Sequence, residues 1–370
     1  MTETELDYRI RLALFEGIGQ RHLDRLLLGL GGWPRLFSAS PEALVANGLA
    51  PKTAALFVAR RTALDGAPAR ELMATQGITA VAPGDTEFPP LLREIGDPPI
   101  ILFVRGAIAA LTPPLPFAVV GTRRLSTYGE TCVRRLVPPW ARAGLGIMSG
   151  LALGTDAAAH AATLQEHGLT VAVLASGVAD NDIGPRTNYP LAQDILDSGG
   201  ALVSEYPPGM SADKHRFPRR NRIIAGLSRG LVVIEAPERS GALLTAELAL
   251  QYNRDVFSVP GPITHAGSVG TNKLLRYGAT PVTAAEDVFE YYGLPPDTPD
   301  RRNPNGAPSD PAAALILTRL RNSPLTADEL ALTSRPDGEP PLSASRLLAA
   351  LTELELTGRI AKIGGQYHLV

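Results

Sequence analysis

The sequence has a single cysteine, Cys132, among 370 residues. It therefore has no internal disulfide framework and no metal site built from several cysteine thiolates. Its formal net charge is also small, at -2, so the field of the whole molecule does not favour a protein that coats nucleic acid. Any anion-binding site must come from a local cluster of basic residues.

Long hydrophobic runs are missing as well. The N-terminal stretch MTETELDYRIRLALFEG has acids where a secretory signal has basic residues, and it has no long apolar core. The apolar stretch IILFV at 100–104 is too short to span a bilayer. We therefore expect a cytoplasmic protein with no membrane partner. Its length is sufficient for two or three domains.

The first pattern along the chain covers residues 1–75, where apolar helical faces alternate with glycine breaks. This pattern predicts a small helical domain. The stretch LFEGIGQRHLDRLL is typical of a helix-hairpin-helix (SAM-like) unit, whose glycines let backbone amides approach a phosphate. Gly17 and Gly19 are equally compatible with a simple turn between two packed helices.

Residues 76–293 predict an α/β domain with a doubly wound sheet. Apolar runs of strand length end in glycine-rich turns and are followed by helical segments, as in a parallel sheet that is covered on both faces. The candidate strands are FAVVG (117–121), GIMSG (146–150), TVAVLAS (170–176), ALVSEY (201–206), GLVVIEA (230–236) and DVFSVPG (255–261).

Residues 294–311, LPPDTPDRRNPNGAPSDP, are rich in proline and polar residues and predict a linker. Residues 312–370 predict three helices and then two strands around Gly364-Gly365, which together make a winged-helix module. From 311 to 370 six basic residues balance six acidic ones, whereas a helix that recognises duplex DNA is usually cationic. We therefore favour a partner-binding or weak DNA-binding role for this module.

Four loops follow predicted strands and carry glycines, hydroxyls or basic residues. In an open parallel sheet the carboxyl ends of the strands meet at one edge, where ligands bind. The loops therefore predict a cationic groove lined by backbone amides. They are GTRRLSTYG (121–129), SGLALGTDAAAH (149–160), the segment from Pro207 to Arg222, and RSGALLTAE (239–247).

The third loop is strongly basic. No acidic residue lies between Asp213 and Glu235, and cations at the start of a predicted helix oppose the helix dipole, which favours an anion among them. Phe217, Tyr128 and Tyr206 add aromatic faces, and cations with aromatic faces are typical of single-stranded nucleic acid sites. The basic residues of this interval are Lys214, Arg216, Arg219, Arg220, Arg222 and Arg229.

Other chemistry is disfavoured by spacing. Asp156 and His160 lie four residues apart on one helix face, and we favour a cap and a partly buried histidine over a catalytic pair. In GSVGTNK (267–273) two residues separate the lysine from the second glycine, whereas a phosphate-binding P-loop has the lysine directly after that glycine. GTRRLSTYG has arginines where a dinucleotide-binding loop needs glycine. We expect no cofactor and no metal.

The series of motifs resembles the DprA/Smf family over roughly residues 85–285. The resemblance implies a Rossmann-like domain that binds and protects incoming single-stranded DNA in natural transformation and forms a homodimer. It implies a recombination mediator rather than an enzyme, one that helps to load the RecA recombinase on DNA that can already carry single-strand-binding protein. The motifs are EFPPLLREIGDPPIILFVRG, VVGTRRLSTYGE, IMSGLALGTDAAAHAATL, ALVSEYPPG, FPRRNRIIAGLS, SGALLTAELAL, VPG and GTNKLLRYGAT.

The resemblance also implies which residues bind DNA. Lys214 and Arg123 are the principal predicted phosphate contacts, and Phe217 is the predicted stacking residue, with packing as its alternative role. The loop at 176–190 receives no role. The full predicted set is Gly121, Thr122, Arg123, Arg124, Ser126, Ser149, Gly150, Gly154, Lys214, Phe217, Arg219, Arg220, Asn221, Arg222, Ser240, Gly241, Thr245, Asn272 and Lys273.

Two other functions stay open from the sequence. RSGALLTAE with Glu247 is superficially similar to a loop of Rossmann-like enzymes that bind and cleave nucleoside monophosphates, where a carboxylate would assist an oxocarbenium-like reaction. Here the second glycine of that loop is missing and the glutamate stands one residue early. The third hypothesis is a protein-interaction scaffold with the winged helix as its adaptor.

Overall fold

The computed structural model describes residues 4–294, 311–320, 325–331, 343–356, 360–363 and 365–369. The chain divides into two compact units, Met1–Gly293 and Leu294–Val370. Among the described residues, none of the helices has the length and apolar composition that crossing a membrane requires.

The N-terminal part is helical, as predicted. Thr4 and Asp7 close the start of the first helix with a capping box, in which each side chain accepts a hydrogen bond from the other residue's backbone N–H. Gly19 is the N-cap of the second helix, and Phe15 and Phe57 meet edge to face in the core. The helices are α1 (Glu5–Phe15), α2 (Gln20–Leu30), α3 (Trp33–Ser38), α4 (Pro41–Ala46), α5 (Pro51–Arg60) and α6 (Ala67–Thr75).

The next part of the chain forms a nine-stranded sheet. Its strands are β1 (Ile78–Val81), β2 (Leu102–Gly106), β3 (Leu115–Val120), β4 (Leu145–Ser149), β5 (Thr170–Val173), β6 (Ala201–Ser204), β7 (Gly230–Val233), β8 (Asp255–Ser258) and β9 (Thr280–Pro281). All six predicted strands are confirmed as β3 to β8. The order in the sheet is β1-β2-β6-β5-β4-β3-β7-β8-β9, and every pair from β6 to β9 is parallel.

Two strands at one edge differ from the predicted parallel arrangement, because β2 pairs antiparallel with both β1 and β6. Parallel neighbours need a long crossover, usually a helix. The connection between β1 and β2 contains only the four-residue helix α7 (Pro90–Arg93). The remainder of the sheet is parallel, so the α/β class is confirmed.

Helices cover both faces of the sheet. They are α8 (Thr127–Arg142), α9 (Thr155–Gln165), α10 (Tyr189–Asp197), α11 (Arg216–Leu227), α12 (Gly241–Gln251), α13 (Val269–Arg276) and α14 (Glu286–Tyr292). Ala172 of β5 packs with α10 and the N-terminal helices, whereas its neighbours Val171 and Val173 pack with α11 and α12. This alternation is the doubly wound arrangement that the apolar runs predict.

The order of the strands reverses beside β3, which pairs with β4 on one side and with β7 on the other. Chain connections from β3 and β7 therefore leave the sheet in opposite directions. A crevice forms at such a switch point, outside the carboxyl ends of the strands. The loops at 121–129 and 239–247 both follow strands at this point.

The described residues of the C-terminal unit form three helices followed by a hairpin, as predicted. The elements are α15 (Pro311–Leu320), α16 (Ala327–Ala331), α17 (Ala344–Leu356), β10 (Ile360–Ile363) and β11 (Gln366–Leu369). A bridge between Leu325 and Tyr367 extends the hairpin. Gly364 of the predicted turn, the predicted helix end at Gly358 and linker residues 295–310 lie outside the described residues. The domain boundaries at 75/76, 293/294 and 311/312 stay predictions.

Candidate nucleic-acid interface

A cleft of about 380 Å³ lies at the carboxyl edge of the sheet, over β3 and β7. We call it the edge cleft. It brings together residues from all four predicted loops, which are separated by more than a hundred positions in the sequence. The predicted site residues that line it are Gly121, Thr122, Arg123, Arg124, Phe217, Arg220, Asn221, Ser240, Gly241 and Thr245.

The first two loops are joined by backbone contacts. The Thr155 amide donates to the Thr122 carbonyl at 3.1 Å, and the Thr155 hydroxyl donates to the same oxygen at 3.2 Å. Gly154 has φ +78°, and a Cβ there would lie 2.4 Å from that carbonyl oxygen. Only glycine fits this contact, so Gly154 shapes the cleft by letting the loops pack together.

Glu235, which follows β7, holds the first loop in place. Its carboxylate accepts hydrogen bonds from the amide and hydroxyl of Ser126, each at 3.0 Å, and lies 2.8 Å from His265 Nε2. Its backbone carbonyl accepts from the Thr122 amide at 2.7 Å. Ser126 also caps α8 by accepting from the Gly129 amide. The segment between Thr122 and Ser126, with its two arginines, is thereby anchored at both ends.

Arg123 and Phe217 form one wall of the edge cleft. The guanidinium carbon of Arg123 is 4.5 Å from the centroid of the Phe217 ring, a cation–π contact. The same two side chains border a smaller cavity of about 220 Å³, which Gly184 and Pro185 also line. The loop at 176–190, which had no assigned role, therefore extends this side of the interface.

Arg220 lies at the bottom of the cleft and is 4% exposed. Its guanidinium donates to the carbonyls of Gly150 and Val173 at 2.6 and 2.7 Å. A Cβ at Gly150 would fall 1.8 Å from this guanidinium, so that glycine makes room for the arginine. Asn221 accepts a hydrogen bond from Arg220 and donates to the Gly241 carbonyl. Arg220 thus supplies positive charge from beneath the cleft.

Four cations are available to a ligand on this side of the molecule. Arg123, Arg124 and Arg239 are exposed residues that line the edge cleft, and Lys214 is exposed just before α11 without lining it. None of the four forms an ion pair with any residue that the structure describes. They are the groups that can bind phosphates without first breaking a salt bridge.

Three other cations of the basic segment are neutralised by acids from elsewhere in the sequence: Arg216, Arg219 and Arg222. Nε and Nη2 of Arg216 donate to the two oxygens of the Glu16 carboxylate, at 3.2 and 2.6 Å, and Arg219 lies 3.7 Å from that carboxylate. Arg222 forms ion pairs with Glu205 and with Asp97. The local absence of acids therefore does not by itself require an anion here. Arg219 and Arg222 face a different groove from Phe217 and Asn221.

Some predicted residues do not line the edge cleft. Ser149 is buried and donates to the Val119 carbonyl, and the Asn272 side chain bonds the backbone of Gly261 through both its polar atoms. Lys273 is exposed on α13, with its ammonium 6.0 Å from the Tyr277 ring. A direct role for each of these residues in DNA binding stays a prediction.

Asp156 lines the edge cleft, whereas His160 is fully buried rather than partly buried; that the two are not a catalytic pair stays a prediction. Asp156 accepts from the Ala152 amide, and His160 Nδ1 lies 2.7 Å from the Thr170 hydroxyl. Burial raises the pKa of the Asp156 carboxyl, and the positive charge of Arg220 acts against this shift. Burial and the same arginine lower the pKa of His160 to about 3. His160 is therefore a neutral, buried residue at physiological pH.

Three residues that organise this region were not predicted from the sequence: Arg239, Glu235 and Glu16. Arg239 had a visible signal, because it directly precedes Ser240 in a loop that had already been singled out. Glu235 is the penultimate residue of the predicted strand GLVVIEA (230–236), at the sheet edge, which was also a usable signal. Glu16 had none, because its partner Arg216 is 200 positions away.

Comparison with known proteins identifies the family. The family model described as DNA recombination-mediator protein A matches residues 79–293, and that of the DprA winged helix domain matches residues 299–366. Protein Smf of Escherichia coli is 42% identical over 293 residues, which cover 77% of this chain and 76% of that protein.

Two solved structures agree with this comparison. The X-ray structure of DNA processing protein A (DprA) from Streptococcus pneumoniae matches with a TM-score of 0.65 at 36% identity, covering 78% of this chain and 98% of that one. DNA processing protein A from Helicobacter pylori, solved to examine its single-stranded DNA binding mode, matches with a TM-score of 0.53 at 28% identity, covering 58% and 95%. The chain therefore belongs to the DNA recombination-mediator protein A family, the DprA/Smf family that its motif series predicted.

Proposed function

We propose that this chain is a recombination mediator of natural transformation that binds single-stranded DNA in the edge cleft. The observation that carries the proposal is the set of unpaired cations at the cleft, Arg123, Arg124 and Arg239, beside the ring of Phe217. Cations that follow phosphates and an aromatic face that stacks on bases are the two requirements of single-strand binding. The single-stranded DNA binding mode of the Helicobacter pylori relative supports the same ligand.

The predicted residues then take two kinds of role. Arg123, Arg124 and Lys214 contact phosphates, and Phe217 stacks on a base. Gly154, Ser126 and Arg220 shape the cleft and support it from within, by the contacts described above. The division into residues 1–75, 76–293, a linker at 294–311 and 312–370 is part of this proposal, and the end of the first compact unit at Gly293 supports it.

An enzyme that cleaves nucleoside monophosphates is not favoured by the geometry. Glu247, the carboxylate that this alternative needs, is exposed on α12 and is not among the residues that line the edge cleft. A second carboxylate, that of Asp156, does line the cleft. The cation beside it is Arg220, whose guanidinium is already held by a hydrogen bond to the Gly150 carbonyl.

The test is a salt-dependent binding titration with the whole chain, comparing a single strand, a duplex of the same sequence and free nucleotides. We expect the single strand to bind most tightly. The slope of log affinity against log salt concentration should be about -0.7 for each phosphate contacted. Tighter binding of the duplex would move the DNA to another surface. Turnover of a free nucleoside monophosphate, lost in Glu247→Gln, would favour the enzyme instead.

We also propose that the chain forms a homodimer and helps to load RecA on DNA covered by single-strand-binding protein. Exposed apolar side chains near α13 support self-association, since Ile263 is 91% exposed and Tyr277 is 74% exposed. Sedimentation of the chain and of Ile263→Asp tests the dimer, which the aspartate should weaken. RecA-dependent strand exchange on covered DNA, with and without the chain, tests the loading step.

A further inference from the structure

A second groove, of about 410 Å³, lies between the N-terminal helices and the sheet. We call it the helix–sheet groove. Glu16 and Gly19, from the ends of α1 and α2, form one side, and Glu205 and Tyr206, which follow β6, form another. Pro218 and Leu244 line both this groove and the edge cleft, so the two cavities share a wall.

The charges of the helix–sheet groove do not suit a phosphate. Its two arginines, Arg219 and Arg222, are paired with three carboxylates that also line it, those of Glu16, Asp97 and Glu205. A phosphate would meet more negative than positive charge. The other lining residues are mainly apolar, and a flat, neutral group with a polar edge fits such a site better. The apolar lining residues are Leu12, Ala13, Ile18, Pro98, Pro99, Ile100, Pro218, Leu244 and Leu248.

Two buried polar atoms of the groove residues lack a partner. Among the residues that the structure describes, neither Glu205 Oε1 nor the Tyr206 hydroxyl makes a hydrogen bond, although buried polar atoms are rarely left unpaired. The other carboxylate oxygen of Glu205 accepts from Arg222. Burial, together with the charge of Glu205, raises the pKa of the Tyr206 hydroxyl, which therefore remains a donor. Both atoms are shielded from solvent, so a ligand with an N–H donor beside an acceptor would satisfy them once the two side chains turn into the groove.

An amino-bearing nucleobase has this edge. Adenine and cytosine present an amino group next to a ring nitrogen that accepts, and guanine presents amino and imino N–H groups next to a carbonyl. Thymine also has an N–H beside an acceptor, but its second carbonyl, on the other side of the N–H, would face the carboxylate of Glu205. Unpaired bases also stack on guanidinium planes, and the Arg219 side chain is 43% exposed.

We propose that the helix–sheet groove is a base subsite, which takes one adenine, cytosine or guanine of the strand whose phosphates lie in the edge cleft. This inference rests on the proposed function, because the strand has to occupy the edge cleft for its base to reach the groove across Pro218 and Leu244. The base pairs with Glu205 and Tyr206 and stacks on Arg219.

The experiment fills the groove from a position that tolerates a side chain. A Cβ at Gly19 meets no heavy atom within 4 Å, and its φ of -90° is accessible to any residue, so Gly19→Phe adds a ring at the groove wall. Gly84 is the matched control, because a Cβ there also meets open space and Gly84 lines neither cavity. Glu205→Gln is the second variant, which keeps the size of the side chain and removes its charge.

Affinities are measured by fluorescence anisotropy with oligo(dA), oligo(dC), oligo(dT) and an abasic strand of equal length. We expect the wild type to bind oligo(dA) and oligo(dC) about tenfold more tightly than oligo(dT). Gly19→Phe should abolish this base preference and leave the affinity for the abasic strand unchanged. Glu205→Gln should reduce the base preference, and Gly84→Phe should retain it. Free deoxyadenosine, which lacks phosphates, should compete only weakly.

The outcomes separate this inference from the proposed function. Equal wild-type affinity for all bases, or loss of abasic-strand binding in Gly19→Phe, would overturn the base subsite while single-strand binding stands. Tight binding of free deoxyadenosine that Gly19→Phe abolishes, with no effect on strands, would make the groove a nucleoside site and also overturn it. Failure of the wild type to bind any strand would instead refute the proposed function.

Discussion

The guanidinium of Arg123 lies over the ring of Phe217, with 4.5 Å between the guanidinium carbon and the ring centroid. This contact joins the first loop after β3 to the first turn of α11. It places a cation that no acid of the described residues neutralises against the one aromatic side chain of the edge cleft. In the proposed function, a phosphate on Arg123 and a base on Phe217 would therefore be held by a coupled pair of side chains.

The first prediction follows from this coupling. Arg123→Gln and Phe217→Leu should each weaken single-strand binding by about tenfold. The double variant should lose less than the product of the two effects, because residues in contact are not additive. The control cycle combines Phe217→Leu with Arg124→Gln, since no cation–π contact joins Arg124 to Phe217 among the described residues, and it should be additive. Anisotropy titrations measure both cycles, and additivity in the Arg123 cycle would contradict the coupling.

Lys214 gives the second prediction. Its ammonium is exposed and has no ion-pair partner among the described residues, so Lys214→Gln should remove one phosphate contact. The slope of log affinity against log salt should become shallower by about 0.7, and the loss should be equal for strands of different sequence. Lys52→Gln is the matched control, because Lys52 is exposed on α5 and lines neither cavity. An unchanged slope in Lys214→Gln would exclude this contact.

The third prediction concerns the link between the N-terminal helices and the sheet. Glu16 and Arg216 form a two-point ion pair, and their side chains are only 17% and 12% exposed. Glu16→Gln leaves Arg216 without its charged partner and should lower the free energy of unfolding by about 2 kcal/mol. Glu5→Gln is the control in the same helix, because Glu5 is 59% exposed and its pair with Arg9, one helical turn away, contributes only about 0.3 kcal/mol. Urea unfolding measures both variants, and equal losses would contradict the prediction.

The fourth prediction is a pH dependence that comes from His160. Its pKa is about 3 in the folded chain and about 6.5 when unfolded, so the unfolded state binds the proton more tightly. This contribution to stability is complete above the unfolded pKa and is lost as the pH falls from about 6.5 towards 3, by about 2 kcal/mol at pH 5.

His160→Leu removes this titration, so its stability should depend less on pH than that of the wild type between pH 7 and pH 5. The matched control is His22→Leu, at an exposed position of α2, which should retain the wild-type dependence. Urea unfolding at several pH values measures the difference. An unaltered slope in His160→Leu would mean that this histidine is not the proton-linked group.

Much of the fold was predictable because burial in a parallel sheet leaves a clear pattern. The strands β3 to β8 are apolar runs ending near glycines, and each was identified from the sequence. The antiparallel strands β1 and β2 were not identified from the sequence. Neither strand shows a two-residue alternation of apolar and polar residues, and neither is followed by a crossover helix. The position of β2 is determined by pairing with β6 across about a hundred residues, which no local pattern reveals, and β1 then pairs with β2.

Part of the candidate site was likewise predictable from the sequence, and part of it was not. The glycine and arginine loops could be located because the carboxyl ends of parallel strands converge on one edge. The sequence did not show that Gly150 makes room for Arg220, or that Gly154 packs the second loop on the first. Both requirements arise from contacts between loops about 30 to 70 positions apart.

The sequence by itself determined that this chain has a basic, glycine-rich edge on a doubly wound sheet, since residue type and spacing are local properties. Only the tertiary structure decided which of the basic residues are available to DNA. Arg216, Arg219 and Arg222 are paired with acids that folding brings from distant parts of the chain, whereas Arg123 and Lys214 are not. Electrostatic pairing acts through distance in space, so the charge that remains for a ligand is known only after the fold is known.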